Sequence, residues 1–331
     1  MLFRAAFAKA SAGQAAFEVV AINDLGDIDN LVYLLQYDSV YGIFEKKVQK
    51  EGTTLSIDGK SIAVFQEKDP SKLPWKDLDI DIVVEATGFF ESYEKAKVHI
   101  EAGAKRVIIT APVKDEDSAM GKTVLVGVNE HEISACTISS NGSCTTNAVS
   151  SVMEILSKNP GIKKAVLNTV HAYTATQNLV DGPTKGTDLL RGRSAPQNIV
   201  PSSTGAVIAV TRAIKELEDK FDGIALRVPV IAGSVADITF VAKRKTTVQE
   251  INDILTKASA LPQWQGIMKV TSQPLVSSDI IGEPYGAIVD LSFTKVVDGD
   301  LVKVLSWYDN EWGYVSTLVK HVELVAKSIQ T

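Results

Sequence analysis

Short apolar runs alternate with stretches of helical periodicity through the first half of the chain. Apolar runs between turn signals are typical of buried strands, and apolar residues three and four positions apart indicate one face of a helix. The predicted elements are strands at 18–24, 79–88, 105–112, 122–128 and 135–139, helices at 1–10, 27–37, 91–102 and 148–156, and a hairpin at 48–66 that turns at Asp58-Gly59. Strands that alternate with helices predict an α/β domain, with a parallel sheet and helices on both faces. Ligands bind such a sheet at the carboxyl ends of its strands.

The second half has long extended segments and fewer helices. The predicted strands lie at 164–170, 224–230, 234–241, 287–294 and 301–308, and the predicted helices at 205–217, 248–260 and 313–328. Strands in long blocks are typical of an α+β domain with a mostly antiparallel sheet. The chain therefore combines a parallel α/β half with a different second half.

Composition and charge narrow the class of protein. With 331 residues the chain exceeds the size of about 250–300 residues at which single cores stop growing, so we expect two domains. The net charge of −6, without a basic cluster, argues against general nucleic-acid binding. No apolar run reaches the roughly 18 residues of a membrane helix, so we expect no membrane association. The only cysteines are Cys136 and Cys144, which excludes a disulfide framework and favours the cytoplasm.

The stretch 139–147 is the first candidate for chemistry. Cys144 follows a predicted strand and a turn, and a predicted helix begins just after it. Free backbone N–H groups and the helix dipole favour a thiolate at such a place. Small hydroxyl-bearing neighbours leave room for a substrate. A nucleophilic cysteine is one interpretation, and a buried, inert thiol is the other.

His171 is the best partner for this thiol among the four histidines. It ends an apolar strand among small and hydroxyl-bearing residues, whereas His99 is expected on a surface helix and His131 in a polar turn. His321 falls in the final helix. A Cys–His pair activates the thiol by stabilising the thiolate. A core histidine satisfied by the backbone is the alternative, and spacing alone slightly favours it.

Two further places indicate anion binding. Arg191-Gly192-Arg193 precedes the stretch 202–206, where hydroxyls and a glycine open a helix as in a phosphate cradle. Arg227 lies in the middle of an apolar strand. Because a buried charge is costly unless it is paired, Arg227 requires either an anionic ligand or an internal salt bridge.

Five motifs resemble those of the phosphorylating glyceraldehyde-3-phosphate dehydrogenase family, in the family's order. They are Ser140-Asn141-Gly142-Ser143-Cys144-Thr145-Thr146-Asn147, His171-Ala172-Tyr173-Thr174, Ser202-Ser203-Thr204-Gly205-Ala206, Leu226-Arg227-Val228-Pro229 and Trp307-Tyr308-Asp309-Asn310-Glu311-Trp312-Gly313-Tyr314. The resemblance covers nearly the whole chain. It implies a Rossmann-like NAD-binding domain at 1–142, a catalytic domain with a mostly antiparallel sheet at 143–310, and a C-terminal helix at 311–331 that packs back on the first domain.

The resemblance also implies roles for individual residues. Cys144 falls on the family's nucleophile and His171 on its base. The positions that bind the substrate phosphate and the attacking inorganic phosphate are Ser143, Thr145, Thr174, Arg191, Thr204, Gly205 and Arg227. The positions that contact NAD are Asp24, Thr87, Thr110, Asn310 and Tyr314. Asp24 resembles the NAD-preferring form, since an acid there repels a 2′-phosphate, and no metal is implied.

The implied reaction begins when Cys144 attacks the aldehyde of D-glyceraldehyde 3-phosphate to give a thiohemiacetal. His171 takes the hydroxyl proton as hydride leaves for NAD, and a thioester remains on the sulfur. Inorganic phosphate then releases 1,3-bisphosphoglycerate. The resemblance further implies a homotetramer in the cytoplasm, in which the segment 183–197 contributes to a neighbour's cofactor pocket, and a place in glycolysis or gluconeogenesis.

Three other functions stay open. Erythrose-4-phosphate dehydrogenase shares the scaffold and the Cys–His pair. A Cys/His hydrolase is disfavoured by the dinucleotide-type first half and the two anion sites. An inactive scaffold or interaction protein is suggested by a departure at the front of the chain.

That departure is the lack of any G-x-G in the sequence. The family begins with a strand and a G-x-G-x-x-G loop, and the residues 2–7 resemble the tail of the helix that follows them. The expectation is that the first strand, the phosphate loop and the helix start, about a dozen residues, are missing. Such a chain is expected to expose unpaired strand edges, to bind NAD weakly and to be destabilised.

Overall fold

A computed structural model describes residues 1–11, 17–184 and 188–330 of the chain. The α-helices in these residues are α1 Leu2–Ser11, α2 Ile28–Gln36, α3 Tyr93–Glu101, α4 Cys144–Lys158, α5 Ala206–Ala213, α6 Val248–Ser259 and α7 Trp312–Gln330. Short 3-10 helices lie at Pro70–Lys72, Glu130–Ala135, Leu189–Gly192, Lys215–Leu217, Pro262–Trp264 and Ser277–Ile280. Of the predicted segments, residues 185–187 and 331 lie outside the described residues.

The strands fall into two groups along the chain. The first group is β1 Ala21–Asn23, β2 Tyr37–Asp38, β3 Gly42–Ile43, β4 Val48–Glu51, β5 Thr54–Ile57, β6 Lys60–Phe65, β7 Ile82–Glu85, β8 Arg106–Ile109, β9 Gly121–Thr123 and β10 Ile138–Ser140. The second group is β11 Ile162–Ala172, β12 Val200–Ser203, β13 Phe221–Val228, β14 Ser234–Ala242, β15 Met268–Thr271, β16 Ala287–Val297 and β17 Leu301–Tyr308.

The first half forms two four-stranded sheets and a short antiparallel pair, β2-β3. One has the order β7-β8-β10-β9, and all of its neighbouring strands are parallel, as predicted. The other has the order β1-β6-β5-β4, in which β1 and β6 are parallel and the rest antiparallel. The predicted hairpin is thus part of a three-stranded meander. Among the described residues, β1 and β7 each pair on one side only, so each forms an edge of its sheet.

Helices cover both faces of the parallel sheet. Successive residues of β8 point to opposite faces. Val107 and Ile109 pack with Tyr93 and other residues of the α3 side, whereas Ile108 packs with Leu318 on α7. The α7 helix therefore lies against the first half of the chain, although it comes last in the sequence.

A seven-stranded mixed sheet forms the second half, with the order β12-β13-β11-β14-β17-β16-β15. Two neighbouring pairs, β11/β13 and β15/β16, are parallel, and the other pairs are antiparallel. The mostly antiparallel sheet that the sequence predicted is confirmed. In β14, every second residue is buried, and Ile238 and Phe240 pack with Leu156 of α4 and Leu255 of α6 in the main core.

Helix starts follow local capping chemistry. Asp27 accepts from the N–H groups of Asp29 and Asn30 at the start of α2, and Thr247 accepts from that of Glu250 at the start of α6. The two caps fix the starts of α2 and α6 close to the predicted positions 27 and 248.

The prediction for His99 is wrong. Its helix, α3, is present, but the side chain is only 4% exposed. Trp75 Nε1 donates to His99 Nδ1 (3.2 Å), and His99 Nε2 lies 3.0 Å from the Glu85 carboxylate. The helical periodicity predicted α3 but could not show that His99 would pair with Trp75 and Glu85.

No helix of the described chain is long and apolar enough to cross a membrane.

Candidate active site

The turn before α4 places Cys144 at the first position of that helix. The Ser143 hydroxyl accepts from the Thr146 N–H (3.1 Å), and Thr146 Oγ1 accepts from the Ser143 N–H (3.0 Å). Gly142 precedes them with a φ of +62°, in the left-handed region that glycine adopts without a Cβ penalty. The Asn147 amide donates to the Ser143 carbonyl (3.0 Å). Local hydrogen bonds therefore fix the position of the sulfur.

His171 lies next to this sulfur. The parallel register of β11 and β13 makes His171 the cross-strand partner of Arg227. The distance from His171 Nε2 to Cys144 Sγ is 3.3 Å. The Tyr308 ring packs edge-on against the imidazole, with ring centroids 5.8 Å apart. The fold thus brings the predicted thiol and its predicted partner within contact distance.

Burial keeps both members of this pair uncharged in the free protein at neutral pH. It raises the pKa of the Cys144 thiol, although the Arg227 charge and the Thr145 N–H act in the opposite direction. Burial, followed by the Arg227 charge, lowers the pKa of His171 from 6.5 to about 3. Desolvation therefore outweighs the helix start that we expected to favour a thiolate. The site holds a thiol beside a neutral base.

Two arginines make the site positive. Arg227 Nη1 is 2.6 Å from His171 Nδ1 and 3.1 Å from Ala172 O, and no carboxylate pairs with Arg227 in the described chain. The alternative of an internal salt bridge for Arg227 is therefore wrong. Arg191 is near enough for its charge to lower the pKa of His171 further. Its nitrogens bond Asp188 (3.0 Å), Thr176 (2.7 Å) and Ser202 (3.1 Å).

The hydroxyls of Thr174 and Thr145, predicted for phosphate binding, bond protein partners. Thr174 Oγ1 is 3.1 Å from Thr176 Oγ1, the group that Arg191 contacts. Thr145 Oγ1 lies 2.9 Å from the buried hydroxyl of Tyr308. Thr174 is therefore linked to Arg191 through Thr176, and Thr145 contacts the tyrosine that packs against His171.

Thr204 and Gly205 mark the start of α5. Thr204 Oγ1 accepts from the Ala206 N–H (3.2 Å), and Gly205 is the N-cap residue. A Cβ on Gly205 would lie 3.3 Å from Pro112, in the loop after β8. The α5 start therefore faces the first half of the chain. No hydrogen bond between described residues joins Thr204 or Gly205 to Arg227.

Asn310 and Tyr314 approach the same site from the start of α7. Asn310 Oδ1 accepts from the Gly233 N–H (3.1 Å) and the Ser234 hydroxyl (2.9 Å), which leaves its Nδ2 without a partner in the described chain. Ser234 Oγ in turn accepts from the N–H of Ala172, next to His171. Tyr314 Oη donates to Gly142 O (3.1 Å), just before the capping serine.

The other predicted NAD contacts lie at the carboxyl ends of β1, β7 and β8. Asp24 is exposed, and one of its oxygens accepts from the Gly26 N–H (2.7 Å). Thr87 donates its N–H (2.7 Å) and its hydroxyl to the buried Glu85 carboxylate, and Thr110 Oγ1 donates to the Glu85 carbonyl (3.1 Å). Thr87 and Thr110 therefore lie at the carboxyl end of the parallel sheet, where ligands bind in α/β folds, and Asp24 lies at the carboxyl end of β1 in the neighbouring sheet of the first half.

Sequence reasoning missed several residues that hold these groups in place. Tyr308 supports the imidazole ring and bonds Thr145 and Thr169. Glu85 fixes the loop that carries Thr87, and Asp309 caps α7 beside Asn310. Tyr308 and Asp309 lie inside a quoted motif, which is the only signal that pointed to them. Within the described ranges, no cluster of His, Cys, Asp or Glu side chains could hold a metal ion.

Two family models match the chain. The C-terminal domain of glyceraldehyde 3-phosphate dehydrogenase matches residues 143–310, and the NAD binding domain of the same enzyme matches residues 1–93. The glyceraldehyde-3-phosphate dehydrogenase of Mycobacterium avium is 46% identical over 330 residues, which are 99% of this chain and 95% of that protein. Glyceraldehyde-3-phosphate dehydrogenase 1 of Streptomyces avermitilis is 43% identical over 328 residues, 98% of this chain and 96% of that protein.

The chain belongs to the glyceraldehyde-3-phosphate dehydrogenase family. It is an NAD-dependent dehydrogenase with a substrate site, and the resemblance inferred from the five motifs is confirmed. Membership of this family excludes the Cys/His hydrolase. Both members of the Cys144–His171 pair lie in the part of the chain that matches the C-terminal domain.

Proposed function

We propose that this chain oxidises D-glyceraldehyde 3-phosphate to 1,3-bisphosphoglycerate with NAD and inorganic phosphate. The observation that carries the proposal is the distance of 3.3 Å between Cys144 Sγ and His171 Nε2, beside the unpaired charge of Arg227. A thiol next to a neutral base can add to an aldehyde, and a free guanidinium can bind the phosphate of substrate or nucleophile.

In this mechanism Cys144 forms the bond to the aldehyde carbon while its proton passes to His171 Nε2. The backbone N–H groups at the start of α4 stabilise the oxyanion that develops. His171 Nε2–H then protonates this oxyanion, which gives the thiohemiacetal hydroxyl and returns His171 to its neutral form. His171 takes the same proton back as the carbon is oxidised. Cys144 retains the acyl group as a thioester, and attack by inorganic phosphate on that thioester frees the sulfur.

The cofactor's role is to accept the hydride from the thiohemiacetal carbon. The residues fit NAD at two ends of its site. The Asn310 Nδ2 is a free donor held in place by Gly233 and Ser234, which suits the nicotinamide amide, and Tyr314 lies beside it. The exposed carboxylate of Asp24 suits the ribose hydroxyls, and we assign Thr87 and Thr110, which follow β7 and β8, to further contacts with NAD.

The phosphate roles of the hydroxyl residues also belong to this proposal. Arg227 and Arg191 supply the charge for the two phosphates. We assign the remaining phosphate contacts to Ser143, Thr145, Thr174, Thr204 and Gly205. Thr174 has a link to Arg191, since both contact the Thr176 hydroxyl. Because Arg191 also bonds Asp188, phosphate competes with that carboxylate for Arg191.

We further propose a homotetramer, divided in each chain at 1–142, 143–310 and 311–331. Support comes from the face of the seven-stranded sheet opposite the main core. Val166 and Ile224 on neighbouring strands β11 and β13 are 60% and 52% exposed there. An apolar sheet face of this kind is stabilised when a second copy covers it. Light scattering after size-exclusion chromatography tests the assembly.

Formation of NADH from glyceraldehyde 3-phosphate tests the activity. We expect turnover that requires inorganic phosphate, and Cys144→Ser should abolish it without loss of folding. Erythrose 4-phosphate should give a much lower kcat/KM; a higher value would identify the alternative dehydrogenase. No NADH with either aldehyde, from a folded chain, would favour the inactive scaffold.

A further inference from the structure

Three polar atoms lie close together at the Nδ1 side of His171, on the ring nitrogen that does not face Cys144. Arg227 Nη1 is 2.6 Å from His171 Nδ1, His171 Nδ1 is 2.6 Å from Ala172 O, and Arg227 Nη1 is 3.1 Å from the same carbonyl. The strand register creates this group, because Arg227 is the cross-strand partner of His171 and Ala172 is the next residue.

These contacts compete for a single ring nitrogen. A guanidinium can only donate and a carbonyl can only accept, whereas a nitrogen of neutral imidazole does one or the other. The bond from Arg227 requires a lone pair on His171 Nδ1. The bond to Ala172 O requires a proton on the same atom. Only one of the two bonds can exist at a time, and each corresponds to a different tautomer.

The tautomer decides whether His171 can act as a base. When Arg227 donates to Nδ1, the ring proton is on Nε2, which faces Cys144 Sγ at 3.3 Å and cannot accept the thiol proton. When Nδ1–H donates to Ala172 O, Nε2 presents a lone pair to the thiol. The second state is the competent one.

Arg227 has donors to spare for an anion. Its Nε is buried without a hydrogen-bond partner, and no carboxylate neutralises the group in the part of the chain that the structure describes. An anion that binds the guanidinium competes directly with His171 Nδ1 for its N–H groups.

We propose that Arg227 is a positioning residue that couples phosphate binding to the tautomer of His171, so that the base becomes competent when an anion occupies the site. This inference rests on the proposed function for its phosphate site. Without an anion, Arg227 holds His171 with its proton on Nε2. With phosphate bound, the guanidinium turns to the anion, and Nδ1–H donates to Ala172 O.

The proton count is conserved in the switch. The imidazole stays neutral: one proton leaves Nε2 to solvent, and another reaches Nδ1 from solvent. When Cys144 then attacks the aldehyde, the thiol proton moves to Nε2 and gives an imidazolium whose Nδ1–H still donates to Ala172 O.

The other groups around the His171 ring are consistent with an imidazolium that forms only after the anion has bound. Arg191 also disfavours the imidazolium until its charge is neutralised, and the Tyr308 ring only packs against it.

Nitrogen NMR of the histidine side chains tests the coupling, because protonated and unprotonated ring nitrogens resonate at distinct shifts. The chain contains only four histidines, and His171→Asn identifies the signal of His171. We expect Nδ1 to change from unprotonated to protonated as sodium phosphate replaces sodium chloride at constant ionic strength. Arg227→Leu should show Nδ1–H without phosphate and no response to it. Arg244→Leu, at a surface arginine paired with Glu250, should behave as the native chain does.

The same protonated nitrogen in all samples would overturn the coupling, and so would a phosphate response that survives in Arg227→Leu. Arg227→Lys provides a second variant, since an ammonium also donates and should restore the response in part. The NADH assay separates the two proposals. Turnover with a fixed tautomer would refute the coupling alone, whereas a responsive tautomer without turnover would refute the proposed function alone.

Discussion

The Tyr41 hydroxyl lies 2.7 and 2.9 Å from the two carboxylate oxygens of Asp309, across 268 residues of sequence. Asp309 also accepts from the N–H groups of Gly282 (2.7 Å) and Trp312 (2.9 Å). One buried carboxylate therefore ties the turn between β2 and β3 to the end of β17 and the start of α7. The next residue, Asn310, is the proposed nicotinamide contact, so this bond joins the first half to the segment that carries that contact.

Removing the Tyr41 hydroxyl should loosen that connection. We expect Tyr41→Phe to lower the free energy of unfolding by about 1.5–3 kcal/mol, the range for hydrogen bonds to charged groups. Urea denaturation measures the change. Tyr33→Phe is the matched control, since Tyr33 is exposed, and its effect should stay within about 0.5 kcal/mol. Equal stability of the two variants would contradict the role of this bond.

Tyr308 is expected to act on His171 through its ring and on stability through its hydroxyl. Tyr308→Phe keeps the ring but removes the hydrogen bonds from the Tyr308 hydroxyl to Thr145 and Thr169, and Thr169 Oγ1 keeps only the Val235 carbonyl (3.3 Å). The change should cost about 1–3 kcal/mol. Its kcat should stay within tenfold of the native value. Tyr308→Leu also removes the edge-on packing, so its kcat should fall further. If both variants lost kcat equally, the hydroxyl rather than the ring would position the base.

His99 should influence NAD binding indirectly, through its contact with Glu85 at the end of β7. It donates to Glu85, whose carboxylate holds the loop of Thr87. His99→Leu leaves this buried carboxylate short of a donor, so we expect a stability loss of about 1.5–3 kcal/mol and weaker NAD binding by isothermal titration. His99→Gln, which can still donate, should recover much of both. Native NAD affinity in a destabilised His99→Leu chain would separate His99 from the cofactor site.

Because His321 is buried, the free energy of unfolding should depend on pH. Burial lowers its pKa from 6.5 to about 3, and Nε2 contacts Ser139 Oγ (2.8 Å). Between these values the unfolded chain binds a proton that the folded chain does not, so stability is complete above pH 6.5 and falls as the pH drops toward 3. The side chain of His321→Gln cannot titrate. We therefore expect the free energy of unfolding to fall less steeply with pH in this variant than in the native chain, and the two slopes should differ by about 1.4 kcal/mol per pH unit over this window.

Urea denaturation at several pH values between 6.5 and 4.5 tests this expectation. His131→Gln, at an exposed histidine, is the control and should keep the native slope. His171 has the same direction of shift and contributes in both proteins, so the difference isolates His321. Identical slopes for His321→Gln and the native chain would show that this histidine does not drive the acid sensitivity.

Local sequence patterns predicted much of the fold. Periodicity predicted α2, α3 and α6 and the long strands of the second half, because those patterns depend on residues a few positions apart. Capping explains the start of α4, and the five motifs identified the family. The same local view could not assign His99, because whether a helical residue is buried against a sheet depends on which strand lies beneath it.

The sequence by itself determined the family, the residue types of the site and the positions of most elements. Only the tertiary structure decided that Cys144 Sγ and His171 Nε2 lie 3.3 Å apart, that burial keeps both neutral, and that Arg227 lacks a carboxylate. It also decided that the strands of the first half divide into two four-stranded sheets and the separate pair β2-β3. The physical reason is that distance, desolvation and charge pairing arise between residues remote in sequence, and the pairing of strands and the packing of helices against them set all three.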